Sequence, residues 1–213
     1  MITVKMCGIT NLEDALTCIN SGAAALGFVF AASKRQVDPA TVAAITRRLP
    51  ESVIRMGVFV NEDPIIIREI LKNCGLDLAQ LHGEETPEQA ALLKGRAIKA
   101  FKAGKDRPGS EWERAGLRAA LIDTYCSAAA GGSGRTFDWG LFDHYRNLKV
   151  PLILAGGLHS GNLAEAIKHT GADAIDVSSG IELRPGIKDP SRIREFMAVA
   201  AGLDAAEPVL FTR

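Results

Sequence analysis

The 213-residue chain has no apolar stretch long enough to span a membrane or to act as a secretion signal, and a cytoplasmic protein is expected. It has no charge imbalance: 25 basic and 25 acidic residues cancel, without a Lys/Arg run. That leaves no electrostatic footprint for nucleic acid or a membrane surface, so a small-molecule partner is expected. Cysteine is sparse. Cys7, Cys18, Cys74 and Cys126 show neither a C-x-x-C pair nor Cys/His metal spacing, and neither a disulfide nor a metal is expected. Also missing are a G-x-G-x-x-G after the first apolar run and a G-x-x-x-x-G-K-[ST] anywhere, which argues against an open dinucleotide-binding sheet or a P-loop.

What the chain does have is eight short apolar runs: ITVKMC (2–7), ALGFVF (25–30), RMGVFV (55–60), LAQLH (78–82), AIKAF (97–101), AALID (119–123), PLILA (151–155) and AIDVS (174–178). Their near-continuous apolarity, without strict alternation, is the pattern of strands covered on both faces, and hence of a parallel sheet. Helical periodicity fills the intervals, as in Leu12, Ala15, Leu16 and Ile19. Asn11, Asp38-Pro39, Thr86-Pro87 and Asp189-Pro190 supply helix starts, while Gly22, Gly75, Gly95 and Gly171 supply stops. The fifth crossover, with Pro108 and Gly109, has room only for a short or irregular helix. NLEDALTCINSGAAALGFVF from Asn11 is echoed by NLAEAIKHTGADAIDVSSG from Asn162, as repeated strand-helix units require. A domain of this length buries about 70% of the surface of its unfolded chain, enough for one core. The expected fold is α/β, a closed (β/α)8 TIM barrel over residues 1–203, followed by a tail at 204–213.

Barrels of this kind place their active sites at the carboxyl ends of the strands. The residues there are Cys7, the loop with Arg35, Asn61, His82, Lys99 or Lys102, Asp123, Gly156-Gly157, and Asp176-Ser178-Ser179-Gly180. The AGGL and VSSGIELRPG segments after the seventh and eighth runs are candidates for binding a phosphate through backbone N–H groups, although paired glycines also serve as plain turns. Cys7 is either an inert buried thiol or a thiolate favoured by Lys5 and the nearby helix start. Asp123 follows three apolar residues, so it needs a partner or a function. It precedes the Gly131–Gly134 GGSG segment, a candidate lid. Arg35 is a carboxylate clamp or a solvated charge, and His82 a ligand contact or a structural histidine. His144, His159 and His169 fall outside the expected mouth.

At these residues the chain resembles the phosphoribosylanthranilate isomerases over roughly residues 2 to 203. VKMCGIT, GFVF followed by SKR, GVFVN, QLHG, LIDT followed by GGSGRTFDW, LAGGL and IDVSSGIE stand in that family's order. The resemblance implies an Amadori rearrangement of a phosphorylated aminosugar in tryptophan biosynthesis. Cys7 would be the general base and Asp123 the general acid. Arg35 would hold the anthranilate carboxylate, with His82 and Asp176 also on the substrate. Gly156, Gly157, Ser178, Ser179 and Gly180 would bind phosphate. No cofactor is implied, because the substrate's own imine is the electron sink. The pair works best if Asp123 is shifted upward by burial and Cys7 downward by positive neighbours. Tyr125–Ala130, with Cys126 and three alanines, departs from the family pattern, and a Cys7–Cys126 linkage under oxidation is one consequence to test. The oligomeric state is expected to be monomer or homodimer. Two rivals are a lysine Schiff-base aldolase using Lys5 or Lys99, and the related phosphosugar isomerase of histidine biosynthesis, which uses two aspartates where this chain has Cys7 first.

Overall fold

The computed structural model describes residues 1–124 and 139–203 and winds eight parallel strands into a closed barrel in sequence order. They are β1 (Thr3–Cys7), β2 (Ala25–Val29), β3 (Ile54–Phe59), β4 (Leu78–Leu81), β5 (Ala97–Lys102), β6 (Ala119–Asp123), β7 (Leu152–Ala155) and β8 (Ala174–Val177). Each coincides with one of the apolar runs to within a residue or so at either end. Closure is made by β1, where Lys5 lies opposite Ala25 on one side and Asp176 on the other.

The crossovers include α1 (Leu12–Asn20), α2 (Pro39–Thr46), α3 (Pro64–Asn73), α4 (Pro87–Ala91), α5 (Leu163–Thr170) and α6 (Pro190–Ala201). Their starts are capped as the sequence implies. Asn11 accepts from the Asp14 N–H at 2.8 Å, Asp38 from Thr41 at 2.9 Å and Asp189 from Ser191 at 2.8 Å, while Thr86 and Gln89 form a reciprocal capping box. Gly22, Gly75, Gly95 and Gly171 all take positive φ beyond helix ends.

Among the described residues two further crossovers contain 3-10 segments. Ser110–Ala115 follows Pro108 and Gly109, and is held by Trp112 edge-on to Phe101 at 5.3 Å. Trp139–Leu148 buries Phe142, Tyr145 and Leu148, a strict three-residue spacing that matches three residues per turn. The Tyr145 hydroxyl donates to the Asp106 carbonyl at 2.8 Å, tying the second segment to the loop that precedes the first. After β8 the chain forms a small antiparallel hairpin, β9 (Glu182–Arg184) with β10 (Ile187–Lys188), where the sequence had read only a loop. Its buried positions, Glu182 and Lys188, are charged, so no apolar alternation betrays it. The candidate lid, Cys126 and the tail at 204–213 lie outside the described residues.

The alternation along each strand sorts the core into two. Met6, Phe28, Leu81, Phe101, Ile122, Leu154 and Val177 face the helices, whereas Ala25, Met56, Ile98, Ala100, Leu121 and Ile153 fill the barrel interior. By the same parity Lys5 and Cys7 on β1, Gln80 on β4, Asp123 on β6 and Asp176 on β8 point inward. Among the described residues no helix is long and apolar enough to cross a membrane.

Cys18, Cys7 and Cys74 are free thiols. Burial pushes the Cys18 thiol up from 9.0 to about 12, and Asp14 adds to the shift. The folded state therefore keeps this proton after the unfolded chain has lost it, so its contribution to stability is intact below pH 9 and lost as pH rises towards 12. We expect the thermal midpoint to fall across that window and the fall to be shallower in Cys18→Ala. Parallel pH profiles of the two proteins check this.

Candidate active site

Strand parity and register bring the inward polar side chains of β1, β4, β6 and β8 to one end of the barrel. Gly27 on β2 makes room for the first of them. A Cβ there would stand 2.6 Å from Cys7 Sγ and 3.1 Å from Lys5 Cε, so the thiol occupies space that only glycine leaves open. The Cys7 carbonyl is held from below, accepting from Lys188 Nζ at 2.6 Å and from the Ser178 hydroxyl at 3.1 Å.

Lys5 is fully buried at the centre. Its Nζ donates to Asp176 Oδ2 at 2.7 Å and to Gln80 Oε1 at 2.9 Å, and its charge acts on the Cys7 thiol two residues along the same inward face of β1. Burial opposes the ammonium charge, but Asp176 and Cys7 outweigh it and hold Lys5 above the ordinary lysine value. The other amide atom of Gln80, Nε2, lies 3.0 Å from His82 Nδ1, and His82 Nε2 lies 3.2 Å from Asp123 Oδ2. An unbroken chain of contacts thus runs from Cys7 through Lys5, Gln80 and His82 to Asp123.

The electrostatics of Cys7 differ from the sequence expectation. Positive neighbours were to lower its pKa. In the structure burial raises it, Asp176 raises it further, and the lowering by Lys5 and Lys188 does not compensate. The free site therefore holds a thiol at neutral pH. The expected burial of Asp123 is only partial, its side chain being 22% exposed.

Arg35 reaches the same region from the loop after β2, with its fork engaged on Glu182 by Nε at 2.8 Å and Nη2 at 2.6 Å. Glu182 also accepts from Lys188 at 3.1 Å. Burial disfavours this carboxylate charge, yet Arg35 and Lys188 hold it below the usual range. Asp176 has a second feature: Oδ1 is buried and has no hydrogen-bond partner among the described residues. A buried unpaired carboxylate oxygen is costly, and a ligand hydroxyl would satisfy it.

The two glycine loops adjoin. Gly156 and Gly157 have φ of 97° and 64°, and open space surrounds the Cβ position of Gly157. The backbone at Gly180 packs so tightly on the Leu158 carbonyl that any Cβ would overlap it. Ser179 opens the 3-10 turn Ser179–Ile181 and is exposed. The hydroxyl of Ser178 is turned to Cys7, which leaves it a bracing role in this geometry. Thr124, next to Asp123, donates to the carbonyls of Ala155 at 2.7 Å and Gly156 at 3.1 Å, joining the acid's strand to the first glycine loop.

Lys99, offered by the sequence as a possible Schiff-base lysine, points away from the interior and is bound to Glu85 Oε2 at 3.0 Å and the Gly83 carbonyl at 2.7 Å. Lys5 is inside, but salt-bridged and protonated. Neither is poised as a free amine. Asn61 braces the loop after β4, accepting from the Glu84 N–H at 2.6 Å. Among the described residues no cluster of potential metal ligands occurs. Sequence reasoning missed Gln80, Glu182 and Lys188. The signal for Gln80 was available, since it stands two residues before His82 and shares its side of β4.

A thiol and a carboxylate in one hydrogen-bonded cluster, at the carboxyl end of eight parallel strands, define a (β/α)8-barrel enzyme with its site in the barrel mouth. The sequence profile of the family described as N-(5'phosphoribosyl)anthranilate (PRA) isomerase matches residues 4–199. The chain belongs to that family. The N-(5'-phosphoribosyl)anthranilate isomerase of Pelobacter propionicus is 45% identical over 201 residues, covering 94% of this chain and 96% of the relative. A phosphoribosyl anthranilate isomerase crystallised with reduced 1-(o-carboxyphenylamino)-1-deoxyribulose 5-phosphate is 41% identical, with a TM-score of 0.80 over 95% of this chain and 100% of its own. The enzyme from Thermus thermophilus is 35% identical, with a TM-score of 0.83 and the same coverages.

Proposed function

We propose that this chain converts N-(5'-phosphoribosyl)anthranilate to 1-(2-carboxyphenylamino)-1-deoxyribulose 5-phosphate, a step of tryptophan biosynthesis, with residues 1–203 as the catalytic unit. The observation that carries the assignment of roles is the linked placement of Cys7 and Asp123 at the inward ends of β1 and β6. Asp123 delivers a proton to the furanose ring oxygen as the C1′–O bond breaks, leaving a Schiff base between sugar and anthranilate. Cys7, in the thiolate fraction that grows as pH rises and that the protonated imine beside it favours, takes the C2′ proton, and the released electron pair moves into the imine to give an enolamine. Tautomerisation then yields the ketone. Atoms and electrons balance within the substrate, and its imine serves as the sink without a cofactor.

The remaining groups account for the ends of the ligand. The backbone of Gly156, Gly157, Ser179 and Gly180 receives the phosphate, with Ser178 holding that loop against Cys7. Arg35, braced on Glu182, offers Nη1 to the anthranilate carboxylate. The unpartnered Oδ1 of Asp176 accepts from a sugar hydroxyl. His82 acts beside the acid, since both its ring nitrogens already lie within hydrogen-bonding distance of protein groups.

The test generates phosphoribosylanthranilate in situ, adds the purified protein with excess EDTA, and follows the loss of substrate fluorescence. Rapid loss is expected. Absence of turnover with a well-folded preparation would overturn the proposal.

A further inference from the structure

The contacts between Lys5 and Asp123 have a direction, and that direction is fixed by the first group. An ammonium has donors only, so the atom of Gln80 facing Lys5 at 2.9 Å must be the amide oxygen. The amide nitrogen then faces His82 Nδ1 at 3.0 Å as a donor, so Nδ1 must accept. A histidine accepting at Nδ1 is neutral and carries its proton on Nε2, which lies 3.2 Å from Asp123 Oδ2. Gln80 is 1% exposed, so bulk water does not compete for its amide oxygen and nitrogen. Lys5 is itself pinned by Asp176 at 2.7 Å.

We propose that Gln80 is a positioning residue of the isomerase reaction: held by Lys5, it sets the Nε2–H tautomer of His82, which orients the carboxyl of Asp123. Through this chain Asp176, Lys5 and Gln80 decide how the acid is presented, although Asp123 is the only one of the four given an acid's role. The donor from His82 on Oδ2 favours Oδ1 as the site of the transferable proton and fixes the carboxyl plane. An imidazolium at the same place would hold Asp123 as a carboxylate and suppress proton delivery. The inference rests on the reading of Asp123 as general acid, but the tautomer at its centre can be measured without any turnover.

The experiment uses 15N-histidine-labelled protein at alkaline pH, where imidazoles are neutral, with the His82 signals assigned by their loss in His82→Asn. A protonated, pyrrole-like Nε2 and a pyridine-like Nδ1 are expected in the wild type. Gln80→Glu keeps the shape and still satisfies Lys5, but presents an acceptor to Nδ1. It should put a proton on Nδ1, as the Nδ1–H tautomer or as an imidazolium held between two carboxylates, and lower kcat roughly ten- to a hundredfold, the scale of a misoriented catalytic group, with KM changed less than threefold. Gln80→Leu removes the donor to Nδ1 but leaves the Asp123 carboxylate accepting from Nε2, so the Nε2–H tautomer should be weakened and not reversed, and kcat should fall less than in Gln80→Glu. A wild-type Nδ1–H tautomer, an unchanged tautomer in Gln80→Glu, or a loss confined to KM would each overturn the proposal. Retained turnover in Asp123→Asn would instead overturn the acid assignment and leave the tautomer result standing.

Discussion

Cys7→Ala should lower kcat by roughly 10²- to 10⁴-fold, the usual contribution of one positioned base. The substitution is small and the barrel should keep its fold, because the carbonyl of residue 7 and the side chains of Lys5 and Asp176 all remain in place. Asp123→Asn should give a loss of the same order, and the double variant much less than the product of the two, because acid and base act on one reaction.

The pH dependence separates a true base from a packed thiol. Burial, and then Asp176, raise the Cys7 thiol above its ordinary value despite Lys5 and Lys188. In the free enzyme the thiolate fraction therefore grows as pH rises above neutrality, and kcat/KM should climb along an alkaline limb. Asp176→Asn removes a negative neighbour, so that limb should move to lower pH even if the rate itself falls. Once the substrate has opened to its protonated imine, a positive charge stands near the sulfur, and the limb of kcat should lie below that of kcat/KM. A flat profile from neutral to alkaline pH, or a limb that ignores Asp176→Asn, would argue that Cys7 is not the group being titrated.

The largest effect on stability should come from Glu85→Leu, on the outer side of the barrel. Glu85 accepts from Asn61 N at 2.8 Å, from Gly83 N at 2.9 Å and from Lys99 Nζ at 3.0 Å, and both charged side chains are almost wholly buried. Removing the carboxylate strands an ammonium in the protein interior and leaves two backbone donors without this partner. Breaking such a pair costs about 3–5 kcal/mol, whereas replacing both members by apolar groups is often close to neutral. Glu85→Leu should therefore lower the thermal midpoint by about 10 °C. Adding Lys99→Met should restore much of it, though not the part due to the amides of Asn61 and Gly83. Equal losses in single and double variants would mean that the backbone donors, and not the buried charge, set the cost.

The barrel itself was legible in the sequence for a local reason. A strand with helices on one face and the barrel interior on the other has no wet side, so its residues read as unbroken apolar runs wherever they lie in the chain. Caps such as Asn11, Asp38 and Thr86 act on amides two or three residues away, and their meaning travels with the local sequence. The same logic exposed Cys7, His82 and Asp123, each a polar residue ending an apolar run, and Asp176, a charge set inside one. It failed at β9 and β10, where the buried side chains Glu182 and Lys188 neutralise each other and look like surface charges until paired.

Which groups act on one another was decided by tertiary structure. Lys5 meets Asp176 across 171 positions, and Gln80 across 75, because barrel closure sets β1 against β8 and turns both inward onto β4. From sequence alone, Lys5 beside Cys7 argued for a lowered thiol pKa. Burial and the carboxylate brought by β8 reverse that direction. Arg35, which the sequence offers as an open clamp, is already braced on Glu182. Secondary structure and residue type follow from interactions a few residues long, and the sequence determined both. Charge state, tautomer and hydrogen-bond direction follow from local dielectric and from partners far away in the chain, which exist only once the barrel has closed.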